Sequence, residues 1–284
     1  MESFKEFMLN EEELQEALIT FSKQAYPKFN TVVIMAGGAG SGKGFVLSNL
    51  VGVEGYTFDV DAIKALSMAA KGITHKVKQK FGKDISKFNL KKPSDVADLH
   101  AFVSGFFGEY GIDDARKKTM FKSVMLADPS RKPNIIFDVT LKDMQKLANL
   151  TRSLEELGYS KKNIHIVWVV NDIEVAKKQN KERDRTVPVD ILVNTHRGVS
   201  QTMNDIISMG SRVKKYMDGD IVFAFNKFKV DAELEKSGSG GQYIKKANYI
   251  YVKRAGEKTM SLDDVKKAIG NKIASYVPKN VSWS

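Results

Sequence analysis

Residues 31–50, TVVIMAGGAGSGKGFVLSNL, place five glycines and a single lysine between two apolar runs. The first run, TVVIMA, is short and β-branched, as in a strand buried on both faces. The second reads as a helix from Lys43 to about Leu50. Strand, glycine-rich turn and helix in that order make an anion cradle. Successive backbone N–H groups converge there, and the helix N-terminus adds partial positive charge. The spacing Gly37-x4-Gly42-Lys43 is the Walker A pattern, whose lysine reaches the β- and γ-phosphates of a bound nucleotide. Glycines also serve tight turns; the strand before and the helix after favour the phosphate reading. Gly37, Gly38, Ala39, Gly40, Ser41, Gly42, Lys43, Gly44 and Phe45 are the expected phosphate-binding residues. Position 44 departs from the pattern, since a Ser or Thr there ligates magnesium and glycine cannot. A metal must then be held by Ser41, by acids from neighbouring strands such as Asp138, or through water.

Working outward, strands and helices alternate. GYTFDV, NIIFDVT (134–140), NIHIVWVV and DIVFAFNKF read as further strands. Helices are expected from Ala62, over KDMQKLANLTRSLEELG with its stop at Gly158, over NDIEVAKKQNKERDR, and over most of residues 187–217. This rhythm predicts an α/β fold: a P-loop NTPase-type parallel sheet flanked by helices and joined by right-handed crossovers. Residues 4–26 have helical apolar spacing and read as an N-terminal helical extension, 1–28. The core is 29–230, with a helical substrate-binding insertion at 71–130, where Ser94 is a candidate N-cap, and a lid at 180–190. The remainder, 231–284, reads as a β-hairpin around the flexible SGSGG (237–241), then a helix capped by Ser261 with Asp264.

The totals set bounds. The chain has 284 residues, 42% hydrophobic and 28% charged, as in ordinary globular proteins. No apolar run approaches the roughly 18 residues that span a bilayer, and the acidic, amphipathic opening lacks a signal peptide's pattern. Zero cysteines exclude disulfides, thiolate nucleophiles and zinc–cysteine sites, which fits the cytoplasm. The net charge of +11 suits polyanionic partners, or else a solvated lysine-rich surface. Part of it is local: residues 71–92 carry eight lysines against one acid, Asp84. Phe81 and Phe88 interleave these cations, a pattern that suits base stacking with phosphate contact and so a nucleic-acid partner.

Phosphoryl transfer also needs a base, an acid that organises metal, and cations for the developing charge. In an open α/β sheet these belong at the carboxyl ends of the strands. Asp59 and Asp61 follow the second strand, and Asp138 ends the third with Thr140 two residues on; the plainer alternative is that such aspartates cap the next helix. Arg183 and Arg185 sit in a polar stretch before Val187-Pro188. They are suited to a phosphate clamp on a lid, or alternatively to a solvated helix end. His196 and Arg197 are secondary candidates. His75, His100 and His165 show no metal-ligand spacing and read as structural.

GGAGSGKG, FDVDAIK, IIFDVTLK and RDRTVP together resemble the zeta-toxin-like P-loop kinases, relatives of chloramphenicol phosphotransferase and polynucleotide kinase. The resemblance covers about residues 30–210. It implies an ATP-dependent kinase using magnesium, with Lys43 on the phosphates and Asp61 as base. It places Asp138, Thr140 and Lys142 against substrate beside Asp59, and makes Arg185 the lid arginine with Arg183 as its partner. Gly44, Asp138 in place of Glu and Lys142 in place of Arg depart from the family pattern. The acceptor therefore stays open among a small molecule, a nucleotide and a nucleotide sugar. A polynucleotide acceptor, or nucleotide or nucleic-acid binding without phosphotransfer, remain the alternatives. MESFKEFMLNEEE resembles N-termini of tailed-bacteriophage proteins, which would imply a host cytoplasm. No membrane partner is expected, and the oligomeric state is open.

Overall fold

The computed structural model describes residues 18–103, 122–236, 242–278 and 283. The chain builds β1 (Val32–Ala36), α1 (Lys43–Leu50), β2 (Tyr56–Asp59), α2 (Val60–Ala69), α3 (Lys71–Phe81) and α4 (Pro93–Val103). It continues through β3 (Ile135–Asp138), α5 (Met144–Glu156), β4 (Ile164–Val170), α6 (Ile173–Glu182) and α7 (Val189–Ser208). Last come β5 (Ile221–Phe225), β6 (Ala232–Lys236), β7 (Gln242–Lys253), α8 (Leu262–Ile269) and α9 (Lys272–Tyr276).

The seven strands form one sheet in the order β2-β3-β1-β4-β5-β7-β6. The first five are parallel, and β7 and β6 close one edge antiparallel, as the late hairpin predicts. The SGSGG stretch itself lies outside the described residues. β1, β4 and β5 are buried along their whole length because helices cover both faces. Strand alternation divides their side chains between two cores. Val32, Ile34, Ile166, Trp168 and Phe223 meet α5 and α7 residues on one face. Val33, Met35, Val167, Val169 and Val222 meet Val46 and Leu50 of α1 on the other. This is the expected α/β architecture. Among the described residues, no helix is long and apolar enough to cross a membrane.

Two features of the order position a site. β1 lies between β3 and β4, so the chain leaves β1 toward one side and later crosses to the other. That is a topological switch point, and the crevice opens at the strands' carboxyl ends. Asp59 and Asp138, last residues of β2 and β3, are register partners at that end.

Three expectations are corrected. Residues 18–26 are not helical. Ile19 instead bridges to Val51 and Phe21 packs edge-on to His165, so the apolar spacing serves a strap across the sheet rather than a helix face. Residues 1–17 lie outside the described part. Ser94 is not an N-cap: α4 opens one residue earlier on Pro93, whose missing N–H costs nothing in a first turn. The C-terminal helix is two, α8 and α9, parted at Gly270, whose φ of 57° no helix continues. Ser261 does cap α8, accepting the Asp264 N–H at 3.1 Å. α5 stops as expected, with Gly158 at φ 85° just beyond it.

The insertion has a small core of its own. Val77, Ile85 and Leu99 are fully buried there, with Phe81, Phe88 and Phe102 packed around them. Phe81 stacks on Phe102 at 4.4 Å between centroids, and Phe88 lies 6.4 Å from the same ring. The two phenylalanines expected to stack bases are taken up by this core instead.

Candidate active site

The turn after β1 folds as an open nest. Gly40 and Gly42 take φ of 73° and 88°, a left-handed conformation that costs glycine nothing. A side chain at either would also strike the Ala176 carbonyl (2.8 Å) or the Asn226 amide (1.9 Å). Gly42 precedes α1 without any side-chain cap. The first N–H groups of the helix, at Lys43, Gly44 and Phe45, come before its first hydrogen bond, Val46 N–H to the Gly42 carbonyl at 3.1 Å. An uncapped helix start of this kind attracts anions. Asn226 braces the turn, its Nδ2 donating to the Ser41 carbonyl at 3.0 Å.

Lys43 Nζ donates to the Gly37 carbonyl at 3.1 Å and lies 3.5 Å from Asp138 Oδ1. The lysine thus spans from the loop to the tip of β3. Beyond Asp138 the chain bends sharply: buried Leu141 has φ of 52°, rare for a branched residue and marking local strain at a site. That bend puts Thr140 and Lys142 in the wall of a cavity of about 640 Å³.

The same cavity is lined by residues 39–45 of the loop, Asp59, Asp138, Arg183 and Arg185. Of the site residues expected from the sequence, all but Gly37, Gly38 and Asp61 line this cavity. Asp61 is the residue expected to act as base. That residue lies in the first turn of α2, its side chain outside the described part. Gly37 and Gly38 lie beneath the loop rather than in the wall. Arg183 caps the C-terminus of α6, and Nε and Nη1 of Arg185 are shielded from solvent. The lid segment is pinned at both sides. Asn180 donates to the Val187 carbonyl (2.7 Å) and accepts its N–H (3.0 Å), while Thr186 N–H bonds the Leu90 carbonyl of the insertion at 2.9 Å.

The structure also differs from the sequence reading inside the site. Ser41 lines the cavity, but its Oγ is buried, makes no hydrogen bond within the protein and sits where a Cβ on Gly37 would be 2.6 Å away. A divalent cation typically needs one or two carboxylates with phosphate oxygens and water. Asp59 and Asp138 fit that role through their adjacent register. Among the described residues, no cluster of three or more His, Asp or Glu could hold a metal without such help. Gly44 has nothing within 4 Å of a built Cβ, so glycine there is not imposed by crowding.

His100, expected to be structural, lines the cavity from α4, as do Lys64 of α2 and Lys146 of α5. No motif marks these three; only the fold brings them in. His196 lies behind the loop, its Nε2 2.8 Å from the Ala39 carbonyl. Burial, helped by the nearby Lys43 charge, pulls its pKa down from 6.5 to about 4, against the opposing effect of that carbonyl. It is a neutral Nε2–H donor at ordinary pH. Arg197 is exposed and contacts Asn194 at 3.4 Å. His165 is buried and accepts the Asp220 N–H at 2.9 Å, a structural role as expected.

The fold and the site together define an α/β protein of the P-loop NTPase type. No family model and no curated protein matches the chain. Solved structures resemble it at low identity. The native AvrRxo1-ORF1:-ORF2 complex is 13% identical with a TM-score of 0.43, over 89% of this chain and 66% of that one. This chain thus spans just under two thirds of that protein's length. The AvrRxo1-ORF1:-ORF2 complex with ATP is 12% identical with a TM-score of 0.40, over 95% and 69%. A chain from the PezAT chromosomal toxin–antitoxin system of Streptococcus pneumoniae is 13% identical with a TM-score of 0.41, over 76% and 73%.

Proposed function

We propose that the chain is an ATP-dependent phosphotransferase acting on a hydroxyl-bearing small molecule, nucleotide or nucleotide sugar. One observation carries the reading: Lys43 bridges the glycine turn and Asp138 inside a cavity that Arg183 and Arg185 also line. Lys43 and the N–H groups at the start of α1 hold the β- and γ-phosphates. Asp61 accepts the proton of the acceptor hydroxyl as its oxygen bonds to the γ-phosphorus. The bond from that phosphorus to the β–γ bridging oxygen breaks, and the leaving diphosphate takes the electron pair. Arg183 and Arg185 neutralise charge on the group in transit. Thr140, Lys142 and Asp59 orient the acceptor. Magnesium, held through Asp59 and Asp138 with water, would supply charge neutralisation at the phosphate oxygens.

A second reading, nucleotide binding without transfer, is favoured by Gly44 and by the buried Ser41 hydroxyl, which leave the metal fewer ligands. A polynucleotide acceptor draws support from the exposed lysines of α3, but no longer from Phe81 and Phe88. Incubation with γ-labelled ATP, magnesium and either pooled metabolites or oligonucleotides separates these cases, with Lys43→Ala as the control. Label transferred only by the unaltered protein supports the phosphotransferase, and the labelled pool identifies the acceptor class. Nucleotide binding without transfer from any pool would replace it by the second reading.

A further inference from the structure

The phosphate turn is held by a single turn of α7, whose Thr195 also lines the cavity. Ala39 is the central residue of its first half, and both polar atoms of its backbone are engaged by neighbouring side chains. The Ala39 N–H donates to Thr195 Oγ1 at 3.1 Å, and the Ala39 carbonyl accepts from His196 Nε2 at 2.8 Å. Thr195 is itself oriented by donating its hydroxyl to the Leu192 carbonyl at 2.7 Å. The imidazole also fills the space over Gly38, where a Cβ would fall 2.2 Å from Cδ2. Two residues beyond His196 on α7, Gly198 allows close approach of the bend after β3, a Cβ there lying 2.8 Å from Lys142 Cβ. The same helix begins at Val189, inside the expected lid segment, with Pro188 at its N-cap.

We propose that Thr195 and His196 are positioning residues for the nucleotide, clamping Ala39 so that the remaining N–H groups of the turn converge on the phosphates. The proposal rests on the nucleotide-binding reading above. The clamp assigns work within the turn. The Ala39 N–H is committed to Thr195 and the Ser41 N–H to the Gly38 carbonyl at 3.2 Å, so phosphate binding falls to the N–H groups of Gly40 and of Gly42 to Phe45. Losing the clamp leaves these donors in place but no longer fixed against the lid and the Lys142 bend, which lean on the same helix.

The test is ADP affinity by calorimetry, together with KM and kcat for ATP, in four variants. His196→Phe keeps the bulk over Gly38 and removes the donor; His196→Gln restores a donor near the Nε2 position. Thr195→Val removes the acceptor; Thr195→Ser restores it. Loss of one such hydrogen bond is expected to weaken ADP about tenfold in His196→Phe and Thr195→Val and to raise KM for ATP similarly, with kcat changing less. Gln and Ser are expected to recover most of the affinity. Thr195→Val is nearly isosteric, so the pair Thr195→Val and Thr195→Ser decides the matter even if His196→Phe does not fold. ADP affinity and KM at the unaltered level in folded Thr195→Val, or a lowered melting temperature alone, would overturn the clamp while leaving nucleotide binding intact. Absence of ADP binding by the unaltered protein overturns both.

Discussion

Arg185 and Gly44 make opposite predictions about the same reaction. If Arg185 neutralises charge on the group in transit, Arg185→Ala should cut kcat by about 10³-fold while ATP affinity changes little. Steady-state kinetics beside direct ATP binding would show this, and a variant with lost affinity and unchanged turnover would remove Arg185 from the role. Gly44 is the gain-of-function counterpart. Open space around a built Cβ means the Cβ of Gly44→Ser is accommodated without collision. It is expected to tighten magnesium-dependent nucleotide binding, read as a lower magnesium concentration at half-saturation of ADP binding; no change would mean the metal lies out of reach of position 44. His196 has a pH signature of its own. Its folded pKa of about 4 lies below the ordinary 6.5, so between those values the unfolded chain binds more protons and stability rises with pH. The contribution is full above about pH 6.5 and is lost as pH falls toward 4, with a slope of up to about 1.4 kcal/mol per pH unit. Chemical denaturation at pH 7 and pH 5 should show a smaller difference in His196→Gln than in the unaltered protein.

Among the elements, the segment between α6 and α7 is joined to the stretch before α4 where Thr186 bonds Leu90, and it is braced by Asn180. Asn180 is buried, so Asn180→Ala leaves both polar groups of Val187 without it and should cost about 1–3 kcal/mol. Leu99→Ala should cost about 2–5 kcal/mol, taken from the insertion's own small core rather than from the sheet. Hydrogen exchange should accelerate in α3 and α4 while β1 and β4 stay protected; uniform loss of protection would mean the insertion is not a separate cooperative unit. The elements also mark how far the sequence was legible. β1, β4 and β5 are unmistakable β-branched runs because both faces are buried, and the glycine turn announces itself by spacing. Phe81 and Phe88 were misleading because an aromatic between lysines looks the same whether it stacks on a base or on Phe102. Residues 18–26 were misleading because apolar spacing does not distinguish a helix from a strap whose hydrogen bonds go to distant strands. Lys64, His100 and Lys146 lie on three separate helices, and only the crossovers bring them to one cavity.

Over the full fold, the strap at residues 18–26 and α9 are fastened to the sheet by carboxylates rather than by apolar packing alone. Asp220 accepts the Ser22 N–H of the N-terminal strap at 2.7 Å and the Ala255 N–H at 3.1 Å, beside His165. Asp231 is fully buried and receives Lys272, Tyr276 Oη at 2.7 Å and Asn248 Nδ2 at 3.1 Å, which ties α9 to the β5–β7 edge. Burial pushes both carboxyls up, and the hydrogen bonds and charges around them outweigh it, leaving each pKa below the ordinary 3.8. A depressed carboxyl stabilises the fold above its unfolded pKa, and that stability is lost as pH falls through the folded value. The acid limb should therefore lie below about pH 4, under the range in which His196 acts, and should release the strap and α9 first. Asp231→Asn leaves Lys272 facing a neutral group and should cost about 3–5 kcal/mol at pH 7, with a flatter acid limb between pH 4 and pH 2. Urea unfolding at pH 7 and pH 3 tests this directly: an equal loss at both values would show that Asp231 acts by packing and not through its charge.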